Sequence, residues 1–220
     1  MTSSAASGVG DFPGIPRELV NLLVNPSLGD WVGDFFDPSG LFVGDTFDTL
    51  GDDQYDPNRF SVSDLLAITT LDVRVRPFAM RRLLFDDVEE LRPMLAAITG
   101  ECLWTASNDE LEAAFKLFGR LKVYPWVGDT TASKLLARKR PGLLPVVDSV
   151  VMAALGTDDY CSTVQLLHST LRQPALRTLV ENVRPLDLDV HHVPTLRLLD
   201  SAIWISRSRG RSAKAVRGIN

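Results

Sequence analysis

Leu121-Lys-Val-Tyr-Pro-Trp-Val-Gly-Asp-Thr-Thr-Ala-Ser-Lys-Leu-Leu136 reads as the end of one helix, a tight turn and the start of another. Pro125 breaks the first helix, because its ring removes a backbone donor and clashes with the preceding turn. Gly128 is expected to supply a positive φ or a close backbone approach. Thr130 or Thr131 then starts the second helix. Such a turn exposes backbone N–H groups at a helix N-terminus, where the positive end of the helix dipole helps them hold a phosphate. The same features also serve an ordinary helical hairpin.

Helical signals continue on both sides. Upstream, Ser61 and Asp64 form a capping-box-like start before Leu65, Leu66 and Ile68. Pro77 opens a helix with Phe78, Arg81, Leu84 and Phe85. Asp86 or Asp87 is expected to cap the next, whose Val88, Leu91, Leu95 and Ile98 share one face and which Gly100 ends. Ser107 and Glu110 make a full capping box ahead of the stripe Leu111, Phe115, Phe118 and Leu121. Downstream, Tyr160, Val164, Leu167 and Leu171 mark one helix, and Leu176, Leu179, Val180 and Val183 another. Pro194 suits the first position of a last helix that carries Leu196, Leu199, Ile203 and Trp204. No run alternates cleanly enough for a strand, so the fold class is all-α with about eight to ten helices.

Residues 1–60 read differently. Gly-Asp and Asp-Pro pairs recur from Gly29-Asp30 to Asp56-Pro57, which is turn chemistry, and only Pro16 to Val24 suggests a helix. This stretch is expected to be an acidic, loop-rich segment, with ten acids against Arg17 and Arg59. The aspartates between Asp45 and Asp56 lack the spacing and closing Glu of a calcium loop. Residues 61–206 form the helical domain, with the helix-hairpin-helix at 111–139. Residues 207–220 carry Arg207, Arg209, Arg211, Lys214 and Arg217 without an acid and are expected to be a basic disordered tail.

Composition excludes several classes. At 220 residues with 45% hydrophobic content the chain can bury one sizeable core, or two small helical lobes that share a core. No apolar run approaches the roughly 18 residues of a membrane span. The start, Met1 to Gly10, has neither a basic n-region nor an apolar stretch, so no secretory leader is expected. Cys102 and Cys161 alone cannot make a disulfide framework or a four-cysteine cluster and suit a reducing cytoplasm. His168, His191 and His192 lack metal-ligand spacing, so neither metal nor cofactor is expected. With a net charge of −5, any attraction to nucleic acid must come from a local basic face or the tail.

Pro125-Trp-Val-Gly-x-Thr-Thr-Ala132 resembles the Pro-Gly-Val-Gly-x-x-Thr-Ala hairpin of the helix-hairpin-helix DNA glycosylases (HhH-GPD type). In those enzymes an apolar-Val-Asp-x-x-Val segment follows about twenty residues later and carries the catalytic aspartate. Here Val146-Val147-Asp148-Ser149-Val150-Val151 lies twenty residues after Gly128. The resemblance covers Leu121 to Val151 and implies a glycosylase-like helical fold, a DNA partner and a role for Asp148. It departs at Trp126, which replaces the first hairpin glycine, and at Thr130, where glycosylase-lyases carry a Schiff-base lysine. No lyase activity is therefore expected. Thr131 to Val151, Phe60 to Pro77 and Leu198 to Trp204 are also similar to an uncharacterised bacterial domain-of-unknown-function family, which implies no activity.

Asp148 has two compatible readings. A carboxylate facing a bound nucleotide stabilises positive charge at C1′ or activates water as base and sugar part. An Asp before Ser149-Val-Val-Met-Ala-Ala-Leu155 is also a helix N-cap, with Gly156 as the stop. Lys134 and Arg138, four apart, share one face of the second hairpin helix and suit a phosphate backbone or plain solvent. Trp126 suits a base-stacking wedge or a packing seal. The expected nucleic-acid contacts are thus Trp126, Val127, Gly128, Thr130, Thr131, Lys134 and Arg138. The leading expectation is a DNA-binding protein, and within that class a monofunctional base-excising N-glycosylase using Asp148. The alternatives are a catalytically silent nucleic-acid-binding module and an interaction protein that keeps only the scaffold.

Overall fold

Capping chemistry sets the helix boundaries. Ser61 and Asp64 cap α4 (Val62–Ala67) reciprocally, and Ser107 and Glu110 do the same for α7 (Asn108–Lys122). The computed structural model describes residues 14–40, 42, 44–51, 55–186 and 188–219, and the lead-in Met1–Gly10 and the aspartates at 52 and 53 lie outside them. Among the described residues there is no strand, and the class is all-α. The other helices are α1 (Arg17–Leu23), α2 (Leu28–Phe36), α3 (Gly44–Thr49), α5 (Pro77–Arg81), α6 (Val88–Ala96), α8 (Asp129–Lys139), α9 (Ser149–Leu155), α10 (Tyr160–Leu171), α11 (Pro174–Glu181), α12 (Thr195–Arg207) and α13 (Arg211–Val216). Helix α12 packs on α2, α9 and α11, while α8 lies against α4 and α7. One connected core runs from Leu19 to Ala213.

Three expectations change. Where it is described, between residues 14 and 51, the acidic segment is helical rather than loop-rich. Helices α1 to α3 bury Leu19, Leu28, Val32, Phe36 and Phe47 in the common core. The tail is not disordered where it is described. Helix α13 buries Ala213, and the Arg217 guanidinium donates to the Ser206 and Ser208 carbonyls, which ties it back to the end of α12. The Pro77 helix stops at Arg81 and passes into a π turn, Arg82–Asp86, closed by Asp87 N–H on Arg82 O at 2.9 Å. Ion pairs Arg81–Asp86 and Arg82–Asp87 span the same five-residue step. The widened turn rotates Phe85 out of the core to 75% exposure.

Helix α8 is buried on every side from Thr131 to Lys139, although it carries three cations. Residues 47–71 supply their acceptors. Arg138 donates to the carbonyls of Phe47, Asp48 and Leu50 and lies 3.4 Å from Asp64. Lys139 Nζ reaches Asp64 at 2.5 Å and the Asp56 carbonyl at 2.9 Å. Beyond the helix, Arg140 donates to the Leu95 and Ile98 carbonyls at the end of α6.

Candidate functional site

The hairpin between α7 and α8 is a turn with a type II pattern. Val127 N–H donates to Tyr124 O at 3.0 Å, Pro125 holds the second position, and Trp126 holds the third at φ 65°. That third position needs a positive φ, which favours glycine. The left-handed residue is therefore Trp126 and not Gly128, whose φ is −88°. Trp126 is 71% exposed at the tip. Gly128 is the N-cap of α8 and no side-chain bond caps that helix. A Cβ at Gly128 would meet nothing within 4 Å. Behind the tip, Tyr124 donates to Asp87 at 2.6 Å and Arg120 reaches the same carboxylate at 2.9 Å. Burial acts to raise the Asp87 pKa, but hydrogen bonds from Tyr124, Arg82 and Arg120 outweigh it and hold it low. The hairpin is thereby pinned to the corner between α5 and α6.

Asp148 is the N-cap of α9. Its Oδ1 accepts from Val150 N–H at 2.9 Å and Val151 N–H at 3.0 Å. The side chain also lines a cleft of about 510 Å³ together with Thr130 and Lys134. Lys134 is 6% exposed and donates to the carbonyl of Leu71, next to the left-handed residue Asp72. Burial lowers the Lys134 pKa, against the opposing pull of Asp148 and Asp72.

The structure thus brings Asp148, Thr130 and Lys134 to one cleft, with Trp126 and Gly128 at the exposed hairpin tip. Val127 and Thr131 have buried side chains and would contact a ligand through backbone alone. Arg138 is a correction. It is only 4% exposed, and its guanidinium is turned into the 47–50 carbonyls, away from any phosphate backbone. Lys134 and Arg138 do share a helix face, but Arg138 is turned into residues 47–50 and Lys134 is held on the Leu71 carbonyl.

The cleft also holds residues that the sequence reading did not single out as site residues. Phe35, Phe42 and Trp204 form an aromatic wall with centroids 5.5 to 5.9 Å apart. A Cβ on Gly44 would lie 2.3 Å from the Phe35 ring, so only glycine leaves that wall in place. Arg197 and Asp200 also line the cleft, an ion pair one turn apart on α12, and Arg197 bonds Asp48 at 3.2 Å. Burial pushes the Asp200 carboxyl up to about 7 despite Arg197. Their signal in the sequence is a charged pair at i,i+3 within the apolar run Leu196–Ile203. Ser212 of α13 lines the cleft as well, beside the exposed Arg209 and Arg211.

Fold and site together define an all-α protein whose central hairpin feeds a half-buried, polar-floored cleft. The chain belongs to the family of unknown function DUF6308, whose model matches residues 28–207. That range takes in α2, the hairpin, Asp148 and α12. Neither a curated protein nor a solved structure matches the chain. Among the described residues no group of three or more His, Cys, Asp or Glu side chains is placed to hold a metal ion. No described helix is long and apolar enough to cross a membrane.

Proposed function

We propose that this chain binds DNA through the α7–α8 hairpin and excises a base by hydrolysis in the cleft, with Asp148 as the carboxylate. The observation that carries this reading is the sharing of one cleft by Asp148 and Thr130, the second residue of the uncapped helix α8. A phosphate held at the α8 N-terminus would lie beside a cleft that can receive a nucleotide turned out of the stack. Trp126 supports the resemblance to glycosylase hairpins, because it takes the backbone conformation that the glycine of that motif would favour. Asp148 caps α9 through Oδ1, and its Oδ2 is the oxygen that would face positive charge at C1′ or orient water. With Thr130 in place of a lysine and Lys134 held on a carbonyl, no Schiff-base step is part of this reading.

Incubation with duplexes carrying damaged or modified bases, followed by alkali cleavage, tests it. Strand cleavage that needs alkali is expected, and Asp148→Asn should lower it by on the order of 100-fold or more. Unchanged excision in Asp148→Asn would remove the assigned role. A second reading, a silent DNA-binding module, is favoured by the two N–H groups that Asp148 Oδ1 already satisfies as a cap. It expects duplex binding that falls steeply with salt, without excision. Absence of binding to both duplex and single strand at low salt would sink both readings.

A further inference from the structure

Folding withdraws the cations next to the hairpin, because Lys134, Arg138, Lys139 and Arg140 all donate to backbone carbonyls. A different basic run stays outside. Val73 to Phe85 holds Arg74, Arg76, Arg81 and Arg82 and no acid, in a chain whose net charge is −5. Arg74 and Arg76 are exposed, and neither meets an acid among the described residues. Val75 between them is buried and the backbone at Arg76 is extended, so both arginines project to one side, away from the core. Two residues of extended chain set them roughly 6–7 Å apart, close to the step between neighbouring phosphates on one strand. The run also has defined ends. Leu71, Asp72 and Val73 line the cleft at one of them. At the other, Arg82 pairs at 2.6 Å with Asp87, the carboxylate that Arg120 and Tyr124 of the hairpin reach. The two exposed arginines therefore lie on the stretch of chain that joins the cleft to the base of the hairpin.

We infer that Arg74 and Arg76 bind neighbouring phosphates of the DNA strand that runs from the hairpin to the cleft. This rests on the DNA-binding part of the reading above and names a contact surface for it. A nucleic-acid strand is favoured over a lipid surface because the arginines lie between the two places where that reading puts the same strand. Contacts of this kind position the backbone without reading its sequence. Each neutralised phosphate releases counterions and steepens the logarithmic salt dependence of binding by about 0.9 on a duplex. A packing role for the same side chains would leave that slope unchanged.

The test is fluorescence anisotropy of the full chain with a labelled, undamaged duplex and with one of its strands, across a sodium chloride series. Flotation with phosphatidylserine-containing vesicles runs alongside. Arg74→Gln combined with Arg76→Gln should weaken DNA binding at low salt by on the order of tenfold or more. It should also flatten the slope by roughly 1.8 on the duplex and roughly 1.4 on the single strand. Both side chains are exposed, so the urea midpoint of the double variant should match that of the unaltered chain. Arg209→Gln combined with Arg211→Gln, at the exposed pair beside Ser212, should change the slope less. A steep slope that the Arg74 and Arg76 variant keeps overturns the inference and leaves DNA binding through another face. A slope that falls only in the Arg209 and Arg211 variant does the same. A chain that binds neither duplex nor single strand at low salt, with or without vesicle binding, overturns it together with the DNA reading. A slope that flattens as expected, with no excision of any damaged base, keeps the inference and removes the excising reading.

Discussion

At Trp126 the backbone and the side chain pull in different directions. A left-handed conformation costs a residue with a Cβ roughly 1–2 kcal/mol, and the turn around Trp126 could take glycine without that cost. Strain of this kind persists where a side chain is needed, and here a large indole is held out into solvent. Trp126→Gly should raise stability to urea by about 1 kcal/mol, less a part for the extra freedom of glycine in the unfolded chain. Under the proposed DNA binding, duplex affinity should fall in the same variant by on the order of tenfold, as for a lost base-stacking platform. Lower stability together with unchanged affinity would make the indole a packing residue instead. Pro125 made the hairpin legible from residues alone, and an Asp before an apolar run that ends at Gly156 made the Asp148 cap legible as well. Which residue would turn left-handed was not legible, because Gly128 is the obvious candidate by type and the bond from Val127 to Tyr124 moves the requirement to Trp126.

Helices α2 and α8 show why the rest was harder to read. Helix α2 buries Leu28, Val32, Phe35 and Phe36, but Gly29, Asp30, Gly33 and Asp34 on its other positions look like turns in sequence. Tertiary packing on α12 overrides that local preference. Helix α8 misleads in the opposite way, since Lys134, Arg138 and Lys139 look like a solvated face. Their acceptors are mostly backbone carbonyls some 60 to 90 residues upstream, which no local pattern announces. The Asp64 side chain joins both, capping α4 and pairing Arg138 and Lys139, and the Tyr55 ring lies against the same two cations. Asp64→Asn removes the carboxylate that Lys139 meets at 2.5 Å and Arg138 at 3.4 Å, and should cost about 3–5 kcal/mol in urea denaturation. A loss below about 1 kcal/mol would show that this carboxylate is not what holds the two cations.

For the molecule as a whole, the buried ions set how stability depends on pH. Asp200 has a folded pKa of about 7, above the ordinary value of 3.8, so between these values the folded state binds the proton that the unfolded state has released. Its contribution is therefore full below about pH 4 and is lost as pH rises to about 7. Burial raises Asp48 too, which adds loss in the same direction. The carboxyls of Asp87, Glu90 and Glu110 are lowered and act oppositely, giving stability that is lost as pH falls below the ordinary carboxylate range. Thermal melts should accordingly peak on the acid side of neutral, near about pH 5. Asp200→Asn should flatten the fall between about pH 4 and 7, and a wild-type curve that rises across that window would contradict the assignment. The bond from Arg197 to Asp48 has one more consequence, for the order of events during synthesis. It joins positions 149 residues apart, on the last long helix and in the first quarter of the chain. A ribosome must release α12 before that clasp can shut, long after Asp48 has emerged, so the aromatic wall and the ionic floor of the cleft cannot meet until α12 is out.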